Sequence, residues 1–147
     1  MERKSFNLET IILHSLAHFS ILSDTHTSQS TTDSLFDYMG DFNNFKHLLP
    51  EDKITNFECT AEQCSFGIKG LMPLTIKIKD RLPKSRITFE TTGLAKFVFT
   101  LHIHLLENKK TNVELEGDMN PFIKAMAQKP LSELVNTMAS KLAGLTI

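Results

Sequence analysis

The chain is 147 residues long, 41% hydrophobic and 22% charged, with sixteen Lys and Arg against seventeen Asp and Glu and a formal net charge of -1. That is the size and composition of one ordinary globular domain with a sizeable core, not of a disordered or fibrous chain. No basic excess points to a dedicated nucleic-acid binder, and no apolar run approaches the eighteen or so residues of a membrane span.

Eleven Phe against one Tyr and no Trp make the aromatic content almost wholly apolar, which points to core or to a greasy pocket. The N-terminus lacks the apolar h-region and cleavage site of a signal peptide. Cys59 and Cys64 are too few to staple a secreted scaffold of this size. The expected setting is therefore the cytoplasm, with the two thiols reduced.

In chain order, residues 1–18 read as an N-terminal extension, in which Leu8, Ile11, Ile12 and Leu16 offer one side of a short amphipathic helix. His14 and His18 stand four apart there without a carboxylate or Cys at motif spacing, so they are expected to be solvated. From Phe19 the alternation predicts a first strand ending near Gln29. Ser30-Thr31-Thr32-Asp33 then supplies a helix start, and Leu35, Phe36, Met39, Phe42, Phe45, Leu48 and Leu49 follow at helical spacing. Gly40 and Asp41 divide that run into two short helices, Thr32 to Met39 and Asp41 to Leu49, stopped by Pro50.

Beyond Pro50 the period is two, in short runs split by turn residues, which predicts six antiparallel strands in a meander. Leu74, Ile76 and Ile78 alternate with Thr75, Lys77 and Lys79, and Phe97, Phe99, Leu101, Ile103 and Leu105 share a parity. Turns fall at Ala61-Glu62, Pro83-Lys84 and Asn108-Lys109-Lys110. Pro121 to Leu145 closes the chain as one long helix, with Asn120 as N-cap, Pro121 in its first turn, Gly144 near its end and a kink expected at Pro130.

This order, with Asp41-Phe42-Asn43-Asn44-Phe45-x-x-x-Leu49-Pro50 after the first helix and Lys129-Pro130-Leu131 inside the last, resembles the START-like (SRPBCC) helix-grip superfamily. The narrower likeness is to small bacterial polyketide cyclase/dehydratase and lipid-transport-like proteins. The resemblance implies an α+β helix-grip fold over residues 19–147, a single domain. In it a seven-stranded antiparallel curved sheet wraps a long C-terminal helix, and two short helices follow strand 1. It implies a cavity between sheet and helix that takes a lipid, fatty acid or polyketide-like ligand without catalysis. The alternative is a cyclase/dehydratase-type enzyme working in the same cavity. No cofactor is expected, nor a partner beyond the small hydrophobic ligand; no stable membrane insertion follows, and the chain is expected to be a monomer or weak homodimer.

Parity selects the wall of that cavity: Phe66, Ile68, Leu74, Ile76, Ile78, Phe89, Phe97, Phe99 and Leu101 from the sheet, and Phe122, Met126, Leu134 and Met138 from the helix. The competing reading is that these side chains fill the space as a dry core. Asp80 follows Ile78 in register, so it is either the candidate acid or base at the cavity rim or a strand end turned to water. His102 and His104 share the opposite face with Thr100 and read as exposed histidines, with no metal site assigned. The Lys77, Lys79, Arg81 and Arg86 row reads as a solvated face salt-bridged to Glu90, Glu114 and Glu116. No catalytic set emerges.

Overall fold

A computed structural model describes residues 17–60, 63–68, 73–94 and 97–147, with all their side chains except those at 17, 68, 92–94, 97, 98 and 123. The amphipathic-helix reading for the N-terminal extension, including His14, and the Ala61-Glu62 turn lie outside the described residues.

The first strand is broken in two: β1 covers Ala17–Leu22 and β2 only His26–Thr27, both paired antiparallel with the last strand. The break falls at Ser23. Its backbone N–H donates to the Val113 carbonyl and its side-chain oxygen accepts from the Val113 N–H, so the hydroxyl stands in for a ladder carbonyl. Pairing begins at Ala17↔Met119 and His18↔Asp118, so the sheet starts two residues before the boundary expected from alternation.

Helix α1, Thr32–Met39, is capped by Thr31, whose side chain accepts from the Ser34 N–H at 3.2 Å. The second short helix is a 3-10 helix, Phe42–Leu48, capped by the Asp41 carboxylate on the Asn43 N–H at 2.9 Å. It turns Phe42, Phe45 and Leu48 inward.

Strands β3 (Ile54–Cys59), β4 (Gln63–Ile68), β5 (Leu74–Leu82), β6 (Arg86–Leu94), β7 (Phe97–Leu105) and β8 (Lys110–Met119) run as the expected meander. The sheet order is β1-β8-β7-β6-β5-β4-β3, seven strands in succession with β2 extending the β1 edge. The tight β5–β6 and β7–β8 turns are possible because Lys84 (φ 60°), Asn108 (φ 59°) and Lys109 (φ 60°) adopt left-handed backbone.

One face of the sheet is apolar and is covered by two things. At the β1–β8 end lies the long helix α2, Pro121–Gly144. At the other end the 3-10 helix packs its rings into the sheet, with Phe45 5.3 Å from Phe89 and 6.4 Å from Phe66, and Phe42 5.8 Å from Phe89. Burial of those four rings, each with a large apolar area, fastens the 3-10 helix to the sheet.

Cys59 and Cys64 are directly opposed across β3 and β4, with Cα atoms 4.2 Å apart, and they form a disulfide. The reduced pair expected from cysteine count alone is thus not the state found. Register pairing places the two Cβ atoms in bonding range whatever the compartment.

Candidate functional site

Most of the wall selected by parity does face the helix side. Phe66, Leu74, Ile76, Phe89, Phe99, Leu101, Leu134 and Met138 are buried in one continuous apolar cluster, and Ile78 is half-buried against it. The side chains of Ile68 and Phe97 fall outside the described ones. Around Phe66 and Phe89 the space is taken up by the rings of Phe42, Phe45 and Phe57, so that end of the face is protein-filled.

Helix α2 behaves differently in its two halves. From Ala127 onward, Leu131, Leu134, Val135, Met138, Ala139 and Leu142 are buried. Polar anchors hold this half down. Lys141 Nζ donates to the Leu49 carbonyl at 2.6 Å, Lys53 pairs with Glu133, the Gln29 N–H donates to the Ala143 carbonyl at 2.9 Å, and Ser30 Oγ donates to the Leu145 carbonyl at 2.6 Å. The Lys53–Glu133 hydrogen bond holds the ammonium above its ordinary pKa and the carboxylate below its own.

The first two turns are not held in this way. Phe122 is 73% exposed and Met126 68%, and Lys124 and Ala125 between them are exposed as well. Those positions lie off the side of the helix that Ala127 and Leu131 bury. The expectation of a single apolar stripe from Phe122 to Leu145 therefore fails for a geometric reason. Phe122 precedes Leu131 by nine residues, which at about 100° per residue puts the two on opposite sides of one helix. Pro130 lies between the halves, and the helix continues through it.

Asp80 is not on the apolar face. The β5–β6 register runs Ile78↔Phe89 and then Asp80↔Thr88, a bulge that turns every later residue of β5 over. Asp80 therefore shares the outer face with Thr88 and is exposed. Arg81 is turned the other way, and its guanidinium donates to the Gly40 carbonyl at 2.8 Å, tying β5 to the end of α1. Alternation alone carries no sign of an inserted residue.

The outer face holds more than solvated charges. Lys77 stands opposite Glu90 in register, but Glu114 and Glu116 engage histidines rather than the expected row of Lys77, Lys79, Arg81 and Arg86. His102, however, is only 8% exposed, which corrects its reading as an exposed histidine. Its Nδ1 lies 2.9 Å from Thr88 Oγ1 and its Nε2 2.9 Å from Glu116 Oε1. His104 stacks on it, ring centroids 5.5 Å apart, and places its own Nε2 3.0 Å from Glu114 Oε1. Ser20 donates to the second Glu114 oxygen at 3.1 Å, and His18 reaches to within 3.9 Å of Glu116. Burial pushes the Glu114 carboxyl up, but the hydrogen bonds of His104 and Ser20 and the nearby His104 and His102 charges outweigh it and leave the pKa lowered. A signal for this grouping was present in the sequence: in a meander, His102/His104 and Glu114/Glu116 lie on adjacent strands at matching parity.

Solvent clefts lie at the periphery of the described residues. The one lined by Pro50, Glu51, Asp52, Lys53, Glu133, Thr137 and Lys141 has a volume of about 460 Å³ and a mixed-charge wall unsuited to an apolar guest.

No protein-family model matches the chain, and no curated protein does. Solved structures do. TTHA0849 from Thermus thermophilus matches with TM-score 0.59 at 13% identity, covering 84% of this chain and 94% of that one. The Zhui aromatase/cyclase from a Streptomyces species matches with TM-score 0.56 at 11% identity, over 86% and 93%. The hypothetical protein jhp0584 from Helicobacter pylori matches with TM-score 0.53 at 11% identity, over 97% and 95%. The chain has the helix-grip fold, an antiparallel sheet packed on a long C-terminal helix. At these identities the likeness establishes the helix-grip architecture and nothing about chemistry. Among the described residues no helix is long and apolar enough to cross a membrane.

Proposed function

We propose that this protein binds a small hydrophobic ligand, of the lipid, fatty acid or polyketide-like kind, between the apolar sheet face and the N-terminal half of α2, without catalysis. The observation that carries the reading is the apolar sheet face turned to α2, where Leu74, Ile76 and Phe99 lie in one continuous cluster with Leu134 and Met138 of the helix. A face of this kind, apolar and roofed by a helix, is the surface on which a hydrophobic guest is held. Ile68 and Phe97 belong to it by strand parity. The Zhui aromatase/cyclase shares the fold, but an enzymatic reading would need an acid or base on this face, and Asp80 is turned to the other.

Native mass spectrometry of protein purified from its host, with a thermal-shift series of fatty acids and polyketides, tests the proposal. Expected are a bound apolar species and a saturable rise in Tm. The double variant Phe122→Ala/Met126→Ala, on the exposed side of α2, should leave both the shift and the free protein's stability nearly unchanged. A chain that carries nothing and shifts with nothing would end the reading. Under it the protein acts in the cytoplasm as a monomer or weak homodimer, where the Cys59–Cys64 bond would cycle to the dithiol; rapid thiol labelling in host lysate and gel filtration check these points.

A further inference from the structure

We propose that the outer face of the sheet carries a site for one divalent first-row transition metal, held by His102 Nε2 and the carboxylates of Glu114 and Glu116. The site is independent of the ligand reading above, because it lies on the opposite side of β7 and β8.

The donor atoms of these three residues lie within 4.8 Å of one another. Two ligands each bound at about 2.0–2.2 Å can be no more than about 4.4 Å apart, so an ion needs side-chain shifts of a few tenths of an ångström and no backbone movement. The charges match: a neutral imidazole and two carboxylates balance a divalent cation. Nitrogen and oxygen donors together favour zinc, cobalt or nickel over magnesium or calcium.

The support around the donors is what separates this from a chance group of surface acids. His102 is buried, and Thr88 Oγ1 sits 2.9 Å from its Nδ1. With an ion bound, the Thr88 hydroxyl would accept the Nδ1 proton and leave the Nε2 lone pair to the metal, the tautomer that such ligation requires. Ser20 and His104 hold the Glu114 carboxylate from two sides. His18, 63% exposed on the edge strand with Nε2 3.9 Å from Glu116, is placed to swing in as a fourth donor. Arg86, in register with His104, and Glu90, in register with Thr100, bound the cluster on the β6 side.

Calorimetry with zinc chloride on the full chain is the test. Expected are one equivalent of zinc, no competition from magnesium, and a visible absorption band when cobalt is substituted. His102→Gln and Glu116→Gln should each weaken zinc at least tenfold, and Thr88→Val, which keeps the shape and removes the hydroxyl, about tenfold. His47→Gln, away from this face, should change nothing. Should buried His102→Gln fail to fold, the half-exposed Glu116 carries the test alone. No zinc bound at about 100 μM, or zinc binding unaffected by Glu116→Gln, overturns the proposal.

Discussion

The rings of Phe45 and Phe89 sit 5.3 Å apart, and through them the 3-10 helix Phe42–Leu48 is joined to the middle of β6. Both side chains have no measurable exposure. Phe45→Ala should therefore cost about 3–5 kcal/mol, the range for a buried aromatic whose site cannot collapse. Denaturant unfolding measures it. A loss under about 1 kcal/mol would mean that the interior is looser than this packing implies.

Ser30 fastens the end of the chain. Its hydroxyl donates to the Leu145 carbonyl at 2.6 Å and accepts from the Ile147 N–H at 3.0 Å, and the residue is 4% exposed. Ser30→Ala leaves two backbone groups without this partner and should cost about 1–3 kcal/mol. Amide exchange should quicken at Ile147 before it does in β7. Unchanged protection there would show that the tail is held by something else.

The strand order and the two helical segments were legible in the chain because each rests on a local signal. Thr31 caps within the Ser30–Asp33 run where a helix start was expected, and the 3.6 and 2 periodicities match α1 and the meander closely. What local signals could not supply were features set by geometry between elements. The bulge at Ile78/Asp80 inserts a residue without changing the sequence alternation, so of the two readings of Asp80 the cavity rim fails and the side chain turned to water stands. Phe122 and Met126 share local apolar spacing with Leu131, but the angle accumulated around the helix parts them. The burial of His102 rests on Thr88 and Glu116, partners 14 residues away on either side, which alternation within one strand does not carry.

Asp80 makes a clean negative prediction. It is exposed on the outer face, so Asp80→Asn should alter stability by no more than about 0.5 kcal/mol and leave uptake of any apolar ligand unchanged. A loss of ligand binding in this variant would place the pocket on the other side of the sheet from the one argued above.

Glu114 links the outer face to pH. Its folded pKa lies below the ordinary value of 4.5, so its carboxylate adds stability that is full above that value and is lost as the pH falls through the lowered one. Wild type should lose stability in that acid window, and Glu114→Gln should show a shallower decline there while being less stable at neutral pH. Unfolding midpoints at pH 3, 4, 5 and 7 for both proteins give the comparison. Parallel curves would mean that the His104 and Ser20 contacts contribute nothing in solution.

Pro130 separates the anchored from the free half of α2, and its substitution tests both halves at once. Proline has no N–H to offer the Met126 carbonyl four residues earlier, so one rung of the helix is missing where the free turns begin. Alanine restores it. Interior proline is about 3 kcal/mol worse than alanine in a helix, and the loss of contacts made by the half-buried ring offsets part of that gain. Pro130→Ala should therefore be more stable by about 1–2 kcal/mol, a rise in Tm of roughly 2–8 °C for a domain of this size. If the missing rung loosens the first two turns, the variant should also stiffen them and take up apolar ligand less readily, with slower amide exchange from Lys124 to Gln128. A stabilised variant with unaltered uptake would show instead that the proline shapes the helix without governing access to the sheet.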